Sequence, residues 1–254
     1  SIKPRGWAVE ARLYAEDPYR GFLPSIGRLT RYIEPEEGPL GPGRLRIDAG
    51  VEEGDEISMF YDPMIAKVIG SGSSRADAIE TLALALDRLH VEGLQSNAPF
   101  LSAVLDEADF RSGAIYTGYI AEHFPEGFHG TAPRQNQLRW MAAAAAYAQI
   151  LMEQRDARTP GRMSEPEPDG APRERVVILD DQRFALEIAV PPGGSAPDAP
   201  AEIWSPGLAD GRMHLVTDWT PGAALFEGEL DGETFCLSLK PGAQGWRMRH
   251  RGYA

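Results

Sequence analysis

Residues 140–152 read WMAAAAAYAQILM, and Gln149 is the only amide or charged side chain in this stretch. Alanine-rich sequence favours a helix, and this helix would be apolar on every side rather than along one stripe, so it should be surrounded by protein. It is too short to cross a bilayer, which requires about 20 apolar residues. Because polar residues lie at both ends of the stretch, we predict a central helix over about 134–156.

The sequence after this helix predicts an irregular loop and then antiparallel strands. Residues 159–175 are rich in Pro, Gly and acidic side chains, which is typical of a loop. Two pairs of strand patterns follow, one around Asp180-Asp181 and one around Asp231-Gly232, a strong hairpin signal. The economical arrangement is an antiparallel β-barrel, with strands over about 175–254, around the central helix. The sequence stops on a strand pattern, so we expect the last strand to be incomplete.

The first half of the chain alternates between strand and helix patterns. WAVEARLYA, GRLTRYIEP and GRLRIDAGV read as strands. Ser74 and Asp77 form a capping-box pattern that opens a helix, and further helical stretches cover 97–105 and 114–124. We therefore predict an α+β fold with two domains: 1–129, a mostly antiparallel sheet with helices, and 130–254, the barrel around its helix.

Charge and composition exclude several classes of function. The chain has 25 Lys and Arg against 38 Asp and Glu, a formal net charge of -13. Nucleic-acid binders need clustered cations to neutralise phosphates, so we expect no nucleic-acid partner, and the same charge argues against an anionic membrane. The single cysteine, Cys236, allows no intrachain disulfide and lies in an alternating strand pattern, where we interpret it as a packing residue.

Generic catalytic motifs are mostly missing. The five histidines have no metal-ligand spacing, so we predict no metal site in this chain. The sequence GSGSS at 70–74 precedes a helix but lacks the Lys-Ser/Thr pair of a phosphate-binding loop. We interpret it as a turn followed by a helix cap.

Two motifs carry charged groups in suggestive positions. In VEARLYAEDP, Glu10 and Arg12 share one strand face. Either this face is simply solvated, or Glu10 holds the Arg12 guanidinium so that its paired N–H donors can bind a planar anion. In YDPMIAK, Asp62 precedes Lys67 by five residues, and we expect a structural ion pair between them.

The first half closely resembles the C-terminal part of biotin carboxylases over about residues 1–129. The resemblance rests on AVEARLYAEDPYRGFLPSIGRLTRY and on the stretch from GDEISMFYDPMIAKVIG to EGLQSNAPFL. The forms EDPYRGFLPSIGRL and YDPMIAKVI are most similar to the biotin-dependent carboxylases that act on propionyl-CoA. The second half resembles, more weakly, the docking (BT) domain of those carboxylases, through its element order and TDWTPGAALFEGELDGETFCLSL.

The resemblance implies roles for individual residues. Arg12 matches the catalytic arginine that contacts biotin and the bicarbonate-derived anion, and Glu10 matches a supporting acid. Arg46 falls near the family's carboxylase dimer contact. The loop at 159–175 occupies the place of a hook that touches the carboxyltransferase subunit. Within it, the residues that we expect at the docking surface are Arg162, Glu165, Pro166 and Arg173.

The resemblance also implies an enzyme, a ligase that uses biotin, ATP and Mg (or Mn). The chain would be part of an α subunit that carboxylates biotin with bicarbonate and docks to the β (carboxyltransferase) subunit in a large hetero-oligomer. The ATP-grasp region and the biotin carrier have no counterpart in this sequence, so we expect this segment to be inactive alone. The implied location is the cytoplasm of a bacterium or the mitochondrial matrix of a eukaryote. Two alternatives stay open: a non-catalytic docking scaffold, or the α subunit of a methylcrotonyl-CoA or acetyl-CoA carboxylase.

Overall fold

A computed structural model describes residues 3, 5–58, 60–157, 170–209, 211–243 and 245–253. The chain divides into two compact units. The first comprises Ser1–Ala132 together with Arg249–Ala254, and the second comprises Pro133–Met248. No helix in the described ranges is long and apolar enough to cross a membrane.

The first unit is built on a four-stranded antiparallel sheet with the strand order β1-β9-β7-β6. Its main strands are β1 (Trp7–Tyr14), β6 (Gly38–Leu40), β7 (Gly43–Ala49) and β9 (Met64–Gly72). Three two-stranded ladders flank this sheet. They are formed by β2 (Glu16–Asp17) with β3 (Leu23–Pro24), β4 (Gly27–Arg28) with β8 (Glu56–Ile57), and β5 (Arg31–Ile33) with β10 (His90–Glu92).

One face of the four-stranded sheet packs against helix α1 (Arg75–Arg88). Leu13 of β1, Val68 of β9 and Leu82 of α1 are fully buried in the core between them. Gly70 of β9 allows the close approach, since a Cβ there would lie 2.5 Å from the Ala78 carbonyl oxygen. The predicted capping box at the start of the helix, Ser74 with Asp77, is confirmed.

The remaining helices of this unit are α2 (Ala98–Asp106), α3 (Ala108–Ser112) and α4 (Tyr119–His123). The single helix expected over 114–124 is therefore wrong in its extent. Gly113, with a φ of 90°, ends α3, and a non-helical stretch separates it from the short α4. Glycine tolerates the left-handed conformation that terminates helices, which explains the break.

The second unit contains the long helix α5 (Gln135–Ala157) and a seven-stranded antiparallel sheet in which every strand pairs with its sequence neighbours. The strands are β11 (Arg173–Leu179), β12 (Gln182–Ala189), β13 (Ala201–Trp204), β14 (Arg212–Val216), β15 (Leu225–Leu230), β16 (Glu233–Gly242) and β17 (Gly245–Arg249). The two predicted hairpins are present, with Asp180 and Asp231 at φ values of 51° and 53°. Cys236 is buried within β16, as predicted.

The predicted closed barrel appears instead as a curled, half-barrel sheet in the described residues. Its two edges are β11 and β17, and a cavity of about 340 Å³ between them reaches Ala145 and Ala146 of α5. The helix is buried over its middle, including all residues from Met141 to Ala148. Trp140 stacks on Phe235 at 5.4 Å between ring centroids, and Tyr147 meets Phe226 edge-on.

Candidate functional site

The sheet of the first unit has a second face, on the side away from α1, that carries most of its charged residues. Side chains alternate between the two faces of a strand, so the neighbours of the buried residues project here. We call this surface the open face. Its members are Glu10, Arg12 and Tyr14 of β1, Lys67, Ile69 and Ser71 of β9, and Arg44, Arg46 and Asp48 of β7.

Arg12 is held in place on the open face by two neighbours from its own strand. Its Nε donates a hydrogen bond of 3.0 Å to Glu10 Oε1. Hydrogen bonding to Glu10 and then to Tyr14 raises the pKa of Arg12 above its ordinary value, so the guanidinium stays charged. The side chain is 60% exposed, which leaves it accessible to a ligand. An oriented, charged and accessible guanidinium can bind a small planar anion.

Asn97 fixes the backbone immediately after this arginine. Its Nδ2 donates to the Arg12 carbonyl oxygen at 3.1 Å, and its Oδ1 accepts from the Tyr14 amide at 2.9 Å. The backbone N–H of Asn97 donates to the Tyr14 carbonyl oxygen at 3.1 Å. Asn97 is buried and immediately precedes α2. Sequence reasoning treated it only as a helix start, because nothing local links residue 97 to residue 12.

Lys67 lies directly opposite Arg12 across the β1-β9 ladder and directly opposite Asp48 across the β7-β9 ladder. The ion pair expected with Asp62 is absent from the described residues. Asp62 Oδ1 instead accepts from the Met64 amide at 3.1 Å, a local bond from an Asp side chain to the backbone two residues further along the chain. Asp62 also lies near Glu16, whose pKa is raised by burial and by that neighbouring carboxylate.

Arg46 occupies the same face two strands away from Arg12. Its Nη2 contacts Asp48 Oδ2 at 3.1 Å, and both side chains are about half or more exposed. An exposed pair of this kind adds little stability. Arg46 is accessible on the surface, and its role at a carboxylase dimer contact stays a prediction.

The expected docking residues have different positions. Arg162, Glu165 and Pro166 lie outside the described residues. Arg173 is the first residue of β11 and is buried, with Nη1 3.7 Å from Glu153 Oε2 of α5. The expectation that Arg173 lies in a surface loop is therefore wrong. Strand β11 starts earlier than the Pro-rich pattern predicts.

The described residues contain no group of three His, Cys, Asp or Glu side chains that could hold a metal ion. The open face carries cations and hydrogen-bond donors. Such an arrangement can bind and orient an anion.

Comparison with known proteins identifies two domain families in the chain. Residues 10–122 match the biotin carboxylase C-terminal domain, and residues 141–254 match the propionyl-coenzyme A carboxylase BT domain. The chain belongs to the family of biotin-dependent carboxylase chains in which these two domains follow each other.

Within this family the chain is similar to propionyl-CoA carboxylase α chains. It is 45% identical to that of Ruegeria pomeroyi over 267 residues, which cover 99% of this chain and 38% of the relative. It is 36% identical to the mitochondrial α chain of Mus musculus, covering 93% of this chain and 32% of the relative. The chain thus spans about a third of the length of these relatives.

Among solved structures, the chain is similar to the biotin carboxylase domain of Hydrogenobacter thermophilus 2-oxoglutarate carboxylase, solved with MgADP, ADP and bicarbonate. The sequence identity is 35%, the coverage is 48% of this chain and 26% of that chain, and the TM-score is 0.45.

Proposed function

We propose that this chain is part of the α subunit of a propionyl-CoA carboxylase. In this proposal the first unit contributes to ATP- and bicarbonate-dependent carboxylation of biotin. The second unit docks the β subunit, which transfers the carboxyl group to propionyl-CoA and forms methylmalonyl-CoA. The observation that carries the catalytic half is the geometry of Arg12, a charged guanidinium held by Glu10 and Tyr14 and left accessible on the open face.

The residues present fit a small planar oxyanion. Biotin, when bound, supplies the ureido nitrogen that accepts the carboxyl group. The role of Arg12 is to hold the anion with paired donors and to stabilise charge as it develops, with Glu10 keeping the guanidinium oriented. In this proposal, ATP and Mg are cofactors of the complete α subunit.

The test of this assignment is the substitution Arg12→Lys in the complete α subunit. Lysine keeps the charge but loses the planar donor fork, so biotin-dependent ATP cleavage should fall about 10²-fold, the loss seen when a charge-stabilising donor is removed. Arg44→Lys is the matched control, because Arg44 is on the same face but lies opposite Ser71 rather than Lys67. Wild-type turnover of the Arg12→Lys enzyme would refute the assignment.

For the second unit we propose that the sheet encloses α5 and that the segment over about 159–175 contacts the carboxyltransferase subunit. Support comes from the burial of α5 and from the position of this segment in the chain, since its last three residues, 173–175, begin the edge strand β11. The edge itself is partly apolar, with Val176 64% and Ile178 53% exposed. An exposed edge strand with apolar side chains favours contact with another chain.

Replacing residues 159–170 with a Gly/Ser linker of equal length tests docking while leaving β11 intact. The α subunit should still fold but should no longer co-purify with the β subunit in size-exclusion chromatography. A matched replacement of Pro191–Pro192–Gly193–Gly194 by Gly/Ser, in a loop after β12, serves as the control and should assemble. Undiminished assembly of the first variant would leave the segment as a linker.

The acyl-CoA substrate is selected on the proposed β subunit, so this chain bears on it through family similarity alone. An α subunit of another acyl-CoA carboxylase is the alternative. A propionyl-CoA against methylcrotonyl-CoA comparison with the purified αβ complex decides between them.

A further inference from the structure

We infer that Lys67 is a second cation of the anion site on the open face and acts together with Arg12 to bind bicarbonate. This inference rests on the proposed function, since it assigns a further ligand to the anion that Arg12 is proposed to hold. Lys67 would bind through its ammonium group, and it is not assigned a bond-making step.

The strand register places the two cations side by side. Arg12 and Lys67 are direct partners in an antiparallel ladder, so they project from the same face. The Cβ atoms of such partners lie about 4.5–5.5 Å apart. Lys67 is on β9, the strand between β1 and β7, and is half-buried, whereas Arg12 is exposed at the neighbouring position. One small anion can therefore reach both side chains.

The carboxylates of the open face are already matched to arginines. Glu10 Oε1 accepts from Arg12 Nε at 3.0 Å, and Asp48 Oδ2 accepts from Arg46 Nη2 at 3.1 Å. No ion pair or side-chain hydrogen bond of Lys67 occurs within the described ranges. The face carries the cations Arg12, Arg44, Arg46 and Lys67 against the carboxylates Glu10 and Asp48.

Like charges directly opposite each other on a sheet are destabilising. The Arg12 and Lys67 pairing is such an arrangement, and it occurs in a chain whose net charge is -13. An anion between the two groups would convert this repulsion into binding energy. The simpler interpretation is that Lys67 is a solvated cross-strand neighbour of Asp48, and the experiment below separates the two.

The two cations would complement each other chemically. The guanidinium is a rigid planar fork, and the ammonium is a compact point charge with three donors that need not lie in one plane. Together they suit an anion of the size of bicarbonate, with two oxygens on Arg12 and one oxygen on Lys67. This division predicts that Lys67 contributes mainly to affinity.

The test compares Lys67→Met, Lys67→Gln and Lys67→Arg in the complete α subunit, measuring the KM values for bicarbonate, MgATP and free biotin. Lys67→Met and Lys67→Gln should each raise the bicarbonate KM about 10-fold or more, as expected for loss of a charged donor. The MgATP and biotin KM values should stay within about twofold, as should all three values in the control Arg31→Met, at an exposed position of β5 outside the open face. Lys67→Arg should restore the bicarbonate KM to within about threefold of wild type. A KM does not depend on the fraction of folded enzyme, so reduced folding cannot mimic this pattern.

An unchanged bicarbonate KM in the Met and Gln variants, or a rise in the biotin KM alone, would overturn the inference. If Arg12→Lys at the same time shows its large loss of turnover, the proposed function stands and only Lys67 is misassigned. If Arg12→Lys is also fully active, the proposed function itself fails.

Discussion

Asn97 is hydrogen-bonded to the backbone of Arg12 and of Tyr14, although Asn97 and Arg12 are 85 residues apart in sequence. Its Nδ2 donates to the Arg12 carbonyl oxygen at 3.1 Å, and its Oδ1 accepts from the amide of Tyr14 at 2.9 Å. The side-chain amide of Asn97 thereby pairs with backbone groups of β1 as a neighbouring strand would. The residue before α2 thereby fixes β1 next to Arg12, the arginine that is proposed to bind the anion.

Substitution of Asn97 should loosen β1 at Arg12. Asn97→Ala leaves the Arg12 carbonyl and the Tyr14 amide without these partners, at a cost of about 1–3 kcal/mol for buried groups. Hydrogen exchange of the β1 amides in the full chain should speed up accordingly. Asn97→Asp keeps the acceptor for the Tyr14 amide, so exchange of the β1 amides should speed up less than in Asn97→Ala. Gln95→Ala, at an exposed neighbouring position, is the control, and equal exchange in Asn97→Ala and Gln95→Ala would contradict the role of Asn97 in holding β1.

A buried charge cluster in the first unit should be strongly sensitive to Arg251. Its guanidinium contacts Asp87 at 2.7 Å, Glu80 at 3.2 Å and Asp106 at 3.4 Å. Arg111 also contacts Glu80 and Asp106, and His250 Nε2 lies 3.8 Å from Asp87. Arg251→Met should cost about 3–5 kcal/mol at pH 8, because removing one partner leaves buried carboxylates without their cation.

The deficit of Arg251→Met should shrink on acidification. Burial raises the pKa of Asp87 to about 6, despite Arg251. A raised folded-state pKa means that the contribution of Asp87 to stability is full below about pH 4 and is lost as pH rises through 6. Burial opposes ionisation of Glu80 too, but Arg251 and Arg111 outweigh it and lower its pKa. Both carboxylates take up protons more readily without Arg251, so hydrogen exchange of α1 should differ less between variant and wild type at pH 5 than at pH 8. A deficit independent of pH would contradict this account.

The buried helix α5 should not tolerate a charge at Ala144. Ala144 is 0% exposed, and a glutamate there would be buried with no partner, at a cost of several kcal/mol. The melting temperature of the full chain should fall markedly. Gln149→Glu, at an exposed position of the same helix, should leave it nearly unchanged. Similar melting temperatures for the two variants would mean that the helix is not enclosed.

Helix α1, which packs on the sheet face opposite the open face, begins with an N-cap at Ser74. Ser74 Oγ accepts from the Asp77 amide at 3.1 Å, so Ser74→Ala should cost about 1 kcal/mol, measured as faster hydrogen exchange in the first turn. Ser74→Thr preserves the cap and should retain most of the protection. Hydrogen bonds from Ser73 and then Ser74 lower the pKa of Asp77, so the helix should keep this contribution above about pH 4 and lose it as pH falls further. Identical exchange in Ser74→Ala would show that the cap contributes nothing.

Local patterns were sufficient for several elements. The capping box at Ser74 and the two-residue turns at Asp180 and Asp231 depend on neighbouring residues, and each is found where the sequence predicts it. The helix at Gln135–Ala157 follows from its alanine-rich composition. The helix predicted over 114–124 begins only at Tyr119, and the short helix α3 has no counterpart in the prediction, because one-turn helices give too few residues for a periodic pattern.

The sequence by itself determined which residues alternate on β1, and hence that Glu10 and Arg12 share a face, because strand periodicity is local. It also determined that the alanine-rich helix must be buried, since its surface has no polar side. Only the tertiary structure decided that Lys67 lies opposite Arg12 rather than against Asp62, and that Asn97 holds the backbone of Arg12. Strand register and a contact across 85 residues depend on how distant segments pack together, and no short-range pattern encodes that choice.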